Sequence, residues 1–205
     1  MKPKWWNKSK RYISKRDRVM KNLLKRYKGH LTTRNNFFYS LTRSIISQQI
    51  SVSAADSVFL KFEKKCKGKI KPKTVSRLTI SDLRRCGLSR MKALGIKSLA
   101  NKILDKSFNP KLIKKMSDED AINYLSSLRQ IGRWSSEMVL IFFYNRQNIW
   151  PVQDIGLLRA ISNNYKKKYL PPKSFVNKLR KRFSPYCTLA VMALWYSVDN
   201  EPVQY

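Results

Sequence analysis

Asp154 is the only carboxylate side chain between residues 138 and 198, and Lys166, Lys167, Lys168, Lys173, Lys178, Arg180, Lys181 and Arg182 follow it. It comes after Pro151-Val152-Gln153 and just before a predicted helix, so one reading is an N-cap accepting an amide of the first turn. The other reading is catalytic. A carboxylate beside helix amides is suited to stabilise positive charge that develops in a transition state. The local pattern supports both.

Leu128-Arg129-Gln130-Ile131-Gly132-Arg133-Trp134 separates two helical patterns. Gly132 is expected to take a backbone conformation that a side chain would oppose, which permits a tight reversal. Amides exposed beside the next helix start would then hold a phosphate, with Arg129 and Arg133 adding charge. An ordinary helix–helix turn explains the same residues. Trp134 either stacks on a base or fills the joint between helices, and Trp150 and Trp195 read as core. Gln48-Gln49 interrupt an apolar series; they mark a helix junction or probe a nucleic-acid strand.

Other chemistries lack their residues. There is no Walker loop, no histidine pair and no Ser–His–acid set; His30 is the single histidine. Asp118, Glu119 and Asp120 follow Ser117 as first-turn acids of a capped helix, which explains them better than magnesium binding does. Cys66, Cys86 and Cys187 form no CxxC pair and supply too few ligands for zinc or an iron–sulfur cluster. A reducing compartment suits them.

These groups must be carried by helices. Val19, Leu23, Leu24 and Tyr27 form a stripe over 16–27, behind a loose basic arm at 1–14. Phe37, Phe38, Leu41, Ile45 and Ile46 form a second stripe, and Ala54, Ala55, Val58, Phe59 and Phe62 a third. Residues 69–79 read as a connection. Ser81 and Gly87 bracket a very short helix, and Ser89 and Ser117 cap the next two. The apolar run Met138–Tyr144 fits a buried helix better than a strand, and further helices are expected over 155–164, 174–183 and 186–198. The fold class is all-α, with about eight to ten short helices.

With 44 Lys and Arg against 12 Asp and Glu in 205 residues, the formal charge is +32. That excess favours a polyanionic partner, nucleic acid first and an anionic membrane surface second. A hydrophobic content of 42% excludes disorder throughout. The start, Met1-Lys2-Pro3-Lys4-Trp5-Trp6, lacks the apolar run of a signal peptide, and no stretch approaches the about 18 apolar residues of a membrane span. An intracellular location is expected, in the cytoplasm and nucleoid, or in the nucleus of a eukaryote.

Over roughly 17–198 the chain resembles the helix–hairpin–helix (HhH-GPD) DNA glycosylases, in particular the 3-methyladenine DNA glycosylase II branch. The segments are Phe38–Ser51 with Ala54-Ala55, Leu83–Ala93, the 128–134 hairpin, Pro151–Gly156, and Ser184–Ala190 with Leu194-Trp195. The resemblance implies a two-lobed all-α fold with a central DNA-binding cleft: 1–30 as basic arm and first helix packing with the C-terminal lobe, 31–145 as the central lobe with the hairpin 129–133, and 146–205 completing the other lobe. It makes Asp154 the catalytic aspartate, and Trp134 is the first candidate for stacking on the extruded base. Gln48, Gln49, Arg129, Gln130, Ile131, Gly132 and Arg133 become the DNA-binding set. No cofactor is expected beyond a structural Na⁺ or K⁺ on hairpin backbone carbonyls.

The implied activity is monofunctional excision of 3-methyladenine and 7-methylguanine from double-stranded DNA by a monomer without a membrane partner. The alternatives are a bifunctional glycosylase/lyase for oxidised bases and a non-catalytic DNA-binding protein. The chain departs from the family at three places. Gln130 stands where the hairpin usually has glycine, Ser135-Ser136 where Thr-Ala is common, and Trp134 where lyase members carry lysine. The family's four-cysteine cluster is absent, and the early start of the resemblance suggests a compact form without an amino-terminal β-domain.

Overall fold

A computed structural model describes residues 2–32 and 35–199. Among them are twelve α-helices, one 3₁₀ helix and no strand. The described residues divide into two units, one formed by 2–32 with 140–199 and the other by 35–139. The chain passes between them after residue 32 and at 139/140, whereas the sequence placed the joints at 30/31 and 145/146.

The first unit opens with α1 (Trp6–Arg16) and α2 (Arg18–Arg26). The loose arm expected at 1–14 is therefore corrected: Trp6, Ser9 and Ile13 form a buried stripe one and two turns apart, and Trp6 and Ile13 have no exposed surface. Burying two such side chains offsets the charge density around them, at about 1.5–3 kcal/mol each. Asp17 breaks the two helices and caps α2 by accepting from the Met20 amide.

The second unit begins with α3 (Phe37–Ser47) and α4 (Val52–Lys65), then α5 (Pro72–Val75) within the segment expected to be a plain connection. Next is α6 (Ile80–Arg85), where Thr79, not Ser81, is the cap, in a reciprocal box with Asp82. α7 (Arg90–Leu104) is capped by Ser89, and a 3₁₀ turn, Pro110–Lys115, leads to α8 (Asp118–Ser126), capped by Ser117. α7 packs on α3, α5 and α6, and α3 on α4.

α9 (Arg133–Phe142) carries the chain from the second unit back to the first, where α10 (Ile155–Tyr165), α11 (Lys173–Phe183) and α12 (Cys187–Asp199) follow. Residues 189–194 of α12 are all buried, because α1, α2, α10 and α11 pack around it. No described helix is long and apolar enough to cross a membrane.

Candidate functional site

In the first unit Asp154 is half-buried and caps α10, with Oδ1 accepting from the Leu157 amide at 2.6 Å. The same oxygen accepts from the Trp195 indole Nε1 at 2.8 Å. Both donors are neutral N–H groups, and together they orient this carboxylate oxygen. Trp195 lies nearly parallel to Phe142, 11° apart, with centroids separated by 6.2 Å. Gly156 makes room for the contact: a Cβ there would stand 3.2 Å from Asp154 Oδ1 and 3.5 Å from the indole. Capping and orientation thus coexist at one carboxylate.

The second unit holds the hairpin. The α8 and α9 ends are joined by Ser126 Oγ and Ser136 Oγ at 3.0 Å, and the turn closes with the Ile131 amide on the Leu128 carbonyl at 3.1 Å. Gly132 does not have the left-handed conformation expected of it. Gln130 does, at φ 69°. A Cβ on Gly132 would meet nothing within 4 Å, so the glycine leaves bare backbone at the start of α9. Gln130 is accommodated because α7 presents Gly95, where a Cβ would come within 2.8 Å of Gln130 Cγ.

Arg133 also differs from expectation. Its guanidinium forms a two-pronged pair with Glu119, at 2.6 and 2.8 Å, and lies 3.5 Å from Glu137. Those hydrogen bonds hold its pKa above the ordinary arginine value, and the side chain braces the hairpin instead of adding net charge to it. Arg129 is exposed and makes no ion pair among the described residues. Ile131 is buried and anchors the turn.

The α3–α4 junction adjoins this hairpin. Gln48 Nε2 donates to the Gln130 carbonyl at 2.9 Å and approaches Ser135 Oγ at 3.3 Å. Gln49 is exposed, with φ 57°. Both glutamines, Gln130, Ser135 and the half-buried Trp134 line a cavity of about 710 Å³. So does Lys92, whose Nζ donates to the Ile46 and Gln48 carbonyls at 2.8 and 2.6 Å; burial lowers its pKa.

No group of three His, Cys, Asp or Glu able to hold a metal occurs among the described residues. At the hairpin, the Gln130 carbonyl serves Gln48, and the Gly132 carbonyl accepts from the Ser136 amide and hydroxyl, both at 3.0 Å. The sequence singled out neither Lys92 nor Trp195 as functional. The available signal for Trp195 was an indole donor on an otherwise apolar helix, which needs an acceptor once buried.

Residues 42–185 match the model of the HhH-GPD superfamily base excision DNA repair protein. The chain is 32% identical over 162 residues to the alkylbase DNA glycosidase-like protein mag2 of Schizosaccharomyces pombe, covering 77% of this chain and 76% of that one. It is 29% identical over 161 residues to DNA-3-methyladenine glycosylase 1 of the same yeast, covering 77% and 71%. Among solved structures, the Schizosaccharomyces pombe 3-methyladenine DNA glycosylase in complex with abasic DNA superposes with a TM-score of 0.81 at 26% identity, covering 97% and 100% of the two chains. The DNA-3-methyladenine glycosidase of Bacillus halodurans gives 0.84 at 25% identity, covering 93% and 89%.

Proposed function

Because this chain belongs to the HhH-GPD superfamily of base excision DNA repair proteins, we propose that it is a monofunctional glycosylase that hydrolyses the N-glycosidic bond of alkylated purines in double-stranded DNA. The lesions assigned are 3-methyladenine, the base named for several relatives, and 7-methylguanine, a second purine made cationic by alkylation. The observation that carries the reading is the carboxylate of Asp154, oriented through one oxygen by the Leu157 amide and the Trp195 indole.

The bare backbone at Gly132 and the exposed Arg129 bind phosphate without sequence choice. The damaged nucleotide leaves the stack, and Gln49, the exposed member of the glutamine pair, fills the space it vacates. Trp134 stacks on the extruded base, and its electron-rich ring favours a cationic alkylated purine over a neutral one. The N-glycosidic bond breaks with its electron pair leaving on the base, so the cationic purine departs neutral. The ionised Asp154 stabilises the positive charge on the sugar. Water then forms the new bond to C1′ and its proton passes to solvent through the carboxylate. The products are free base and an abasic site.

Strand cleavage is not part of this chemistry. Trp134 occupies the place of the lyase lysine, and Lys92 spends two N–H groups on backbone carbonyls. We assign the protein to the compartment that holds the DNA, acting as a monomer.

The test is a panel of single-lesion duplexes, assayed before and after hot alkali. Wild type should release 3-methyladenine and 7-methylguanine and yield strand breaks only after alkali. Asp154→Asn keeps a competent cap yet should lose about 10²–10³ in single-turnover rate. Unchanged excision in that variant, or borohydride trapping of a covalent complex, overturns the reading.

A further inference from the structure

Two turns of the second unit carry the proposed DNA contacts: the α3–α4 junction with Gln49, and the hairpin turn 129–132. A helix end such as that of α3 leaves carbonyls without intrahelical partners. Here a side chain from another helix supplies the donors. Lys92, in the first turn of α7, places Nζ 2.8 Å from the Ile46 carbonyl and 2.6 Å from that of Gln48. Gln48 turns its side chain to the other turn and donates to the Gln130 carbonyl at 2.9 Å.

The opposite turn meets the same helix three residues on. At Gly95 there is no room for a side chain, since a Cβ would lie 2.8 Å from Gln130 Cγ and 3.2 Å from the Arg129 carbonyl. Residues three apart share a helix face. Lys92 and Gly95 therefore make α7 a bar to which both turns are fastened, and Gln48 is the strap across them. Each turn also contains a glutamine in the left-handed region, Gln49 at φ 57° and Gln130 at φ 69°, a conformation that persists only where surrounding contacts hold it.

We infer that Lys92 is a positioning residue which, with Gln48 and Gly95, locks the Gln49 turn to the hairpin, so that gripping phosphate and filling the vacated stack occur as one event. The inference rests on the glycosylase reading above and on the role given there to Gln49. Lys92 touches neither substrate nor sugar in this scheme; it acts through Gln49.

That chain of action fixes a test a merely structural lysine would fail. Base extrusion is followed by stopped-flow fluorescence of 2-aminopurine beside a single 7-methylguanine, in the Asp154→Asn background, where excision is slowed about 10²–10³-fold. Gln49→Ala and Lys92→Met should each slow extrusion about tenfold, and the double variant should also be about tenfold slower, because coupled residues are not additive. Duplex affinity should weaken less than about threefold, since no phosphate contact is removed.

A hundredfold loss in the double variant, or normal extrusion in Lys92→Met, overturns the inference while leaving the glycosylase reading intact. Normal extrusion in Gln49→Ala removes the assigned role of Gln49 and the inference with it. Should Lys92→Met fail to fold, Lys92→Gln enters the same cycle. It keeps one donor and should slow extrusion about threefold, again without adding to Gln49→Ala; additivity there is equally fatal.

Discussion

Asp17 and Asp154 both cap helices of the first unit, each accepting from an amide three residues on, Met20 at 3.0 Å and Leu157 at 2.6 Å. Their remaining surroundings diverge. Asp17 is 6% exposed, and its Oδ2 receives the Arg182 guanidinium at 2.6 Å while Oδ1 also accepts from the Tyr165 hydroxyl at 3.0 Å. Asp154 is half-buried, and Oδ1 receives the Trp195 indole. One carboxylate has its charge matched by a cation and ties α2 to α10 and α11. The other accepts from the Leu157 amide and the Trp195 indole. A helix cap is therefore compatible with different second donors, a guanidinium at Asp17 and an indole at Asp154.

The comparison breaks first at excision. Asp154→Asn should cost the about 10²–10³ in rate already stated while leaving the thermal midpoint nearly unchanged, because Asn caps as well as Asp. Asp17→Asn should do the reverse. It also keeps the cap, but it strands Arg182 without its counter-charge. Breaking a buried pair costs about 3–5 kcal/mol; Arg182 is 37% exposed, which reduces the expectation to about 2–3 kcal/mol. Denaturant unfolding measures the loss, and excision per folded molecule should stay within about twofold of wild type. Equal effects of the two variants on both readouts would erase the distinction.

Much of this arrangement is local enough to be read from the chain. Ser89, Ser117 and Asp154 precede apolar periodicity, and each caps the helix it precedes, because capping needs only a neighbour three residues on. Met138–Phe142 is helical as its lack of period-two alternation suggests. The N-terminal helix was hidden because its charges outnumber its apolar residues, although long cationic side chains leave a buried stripe undisturbed.

The turns were harder. A glycine is the cheap place for a positive φ, so Gly132 attracts the assignment, yet the chain puts that conformation at Gln130 and holds it with Gln48, 82 residues away. Arg133 shows its charge in the sequence but not Glu119, which cancels it. Lys92 and Trp195 meet their acceptors across 44 and 41 residues. A sequence shows donors; long-range packing chooses the acceptors.

Trp195→Phe sharpens the comparison by removing the indole donor while keeping an aromatic ring against Phe142. Without that N–H, the carboxylate keeps its cap but loses one of the donors that orient it. Single-turnover excision should fall about tenfold, as misplacement of a reacting group does. Duplex affinity should change less than about twofold, since the tryptophan is buried. Gly156→Ala should act in the same direction and more weakly, through the 3.2 Å approach of its Cβ to Oδ1. Normal excision in Trp195→Phe would reduce the indole contact to packing and return Asp154 to the same class as Asp17.

The smallest effect lies at alkaline pH on the Asp17 side. Burial, reinforced by the Asp17 charge beside it, pushes the Tyr165 phenol far above its ordinary pKa. Below about pH 10 the phenol is protonated in folded and unfolded chains alike, and its contribution to stability is fully present. Above that, the unfolded chain releases the proton while the folded one keeps it. The unfolded state then binds fewer protons, and stability falls by up to about 1.4 kcal/mol per pH unit. Tyr165→Phe lacks this slope. Its stability deficit relative to wild type, measured by denaturant unfolding, should therefore shrink between pH 9 and pH 11. A constant deficit would mean that the phenol ionises equally in both states, and that the Asp17 cluster is open to water as Asp154 is.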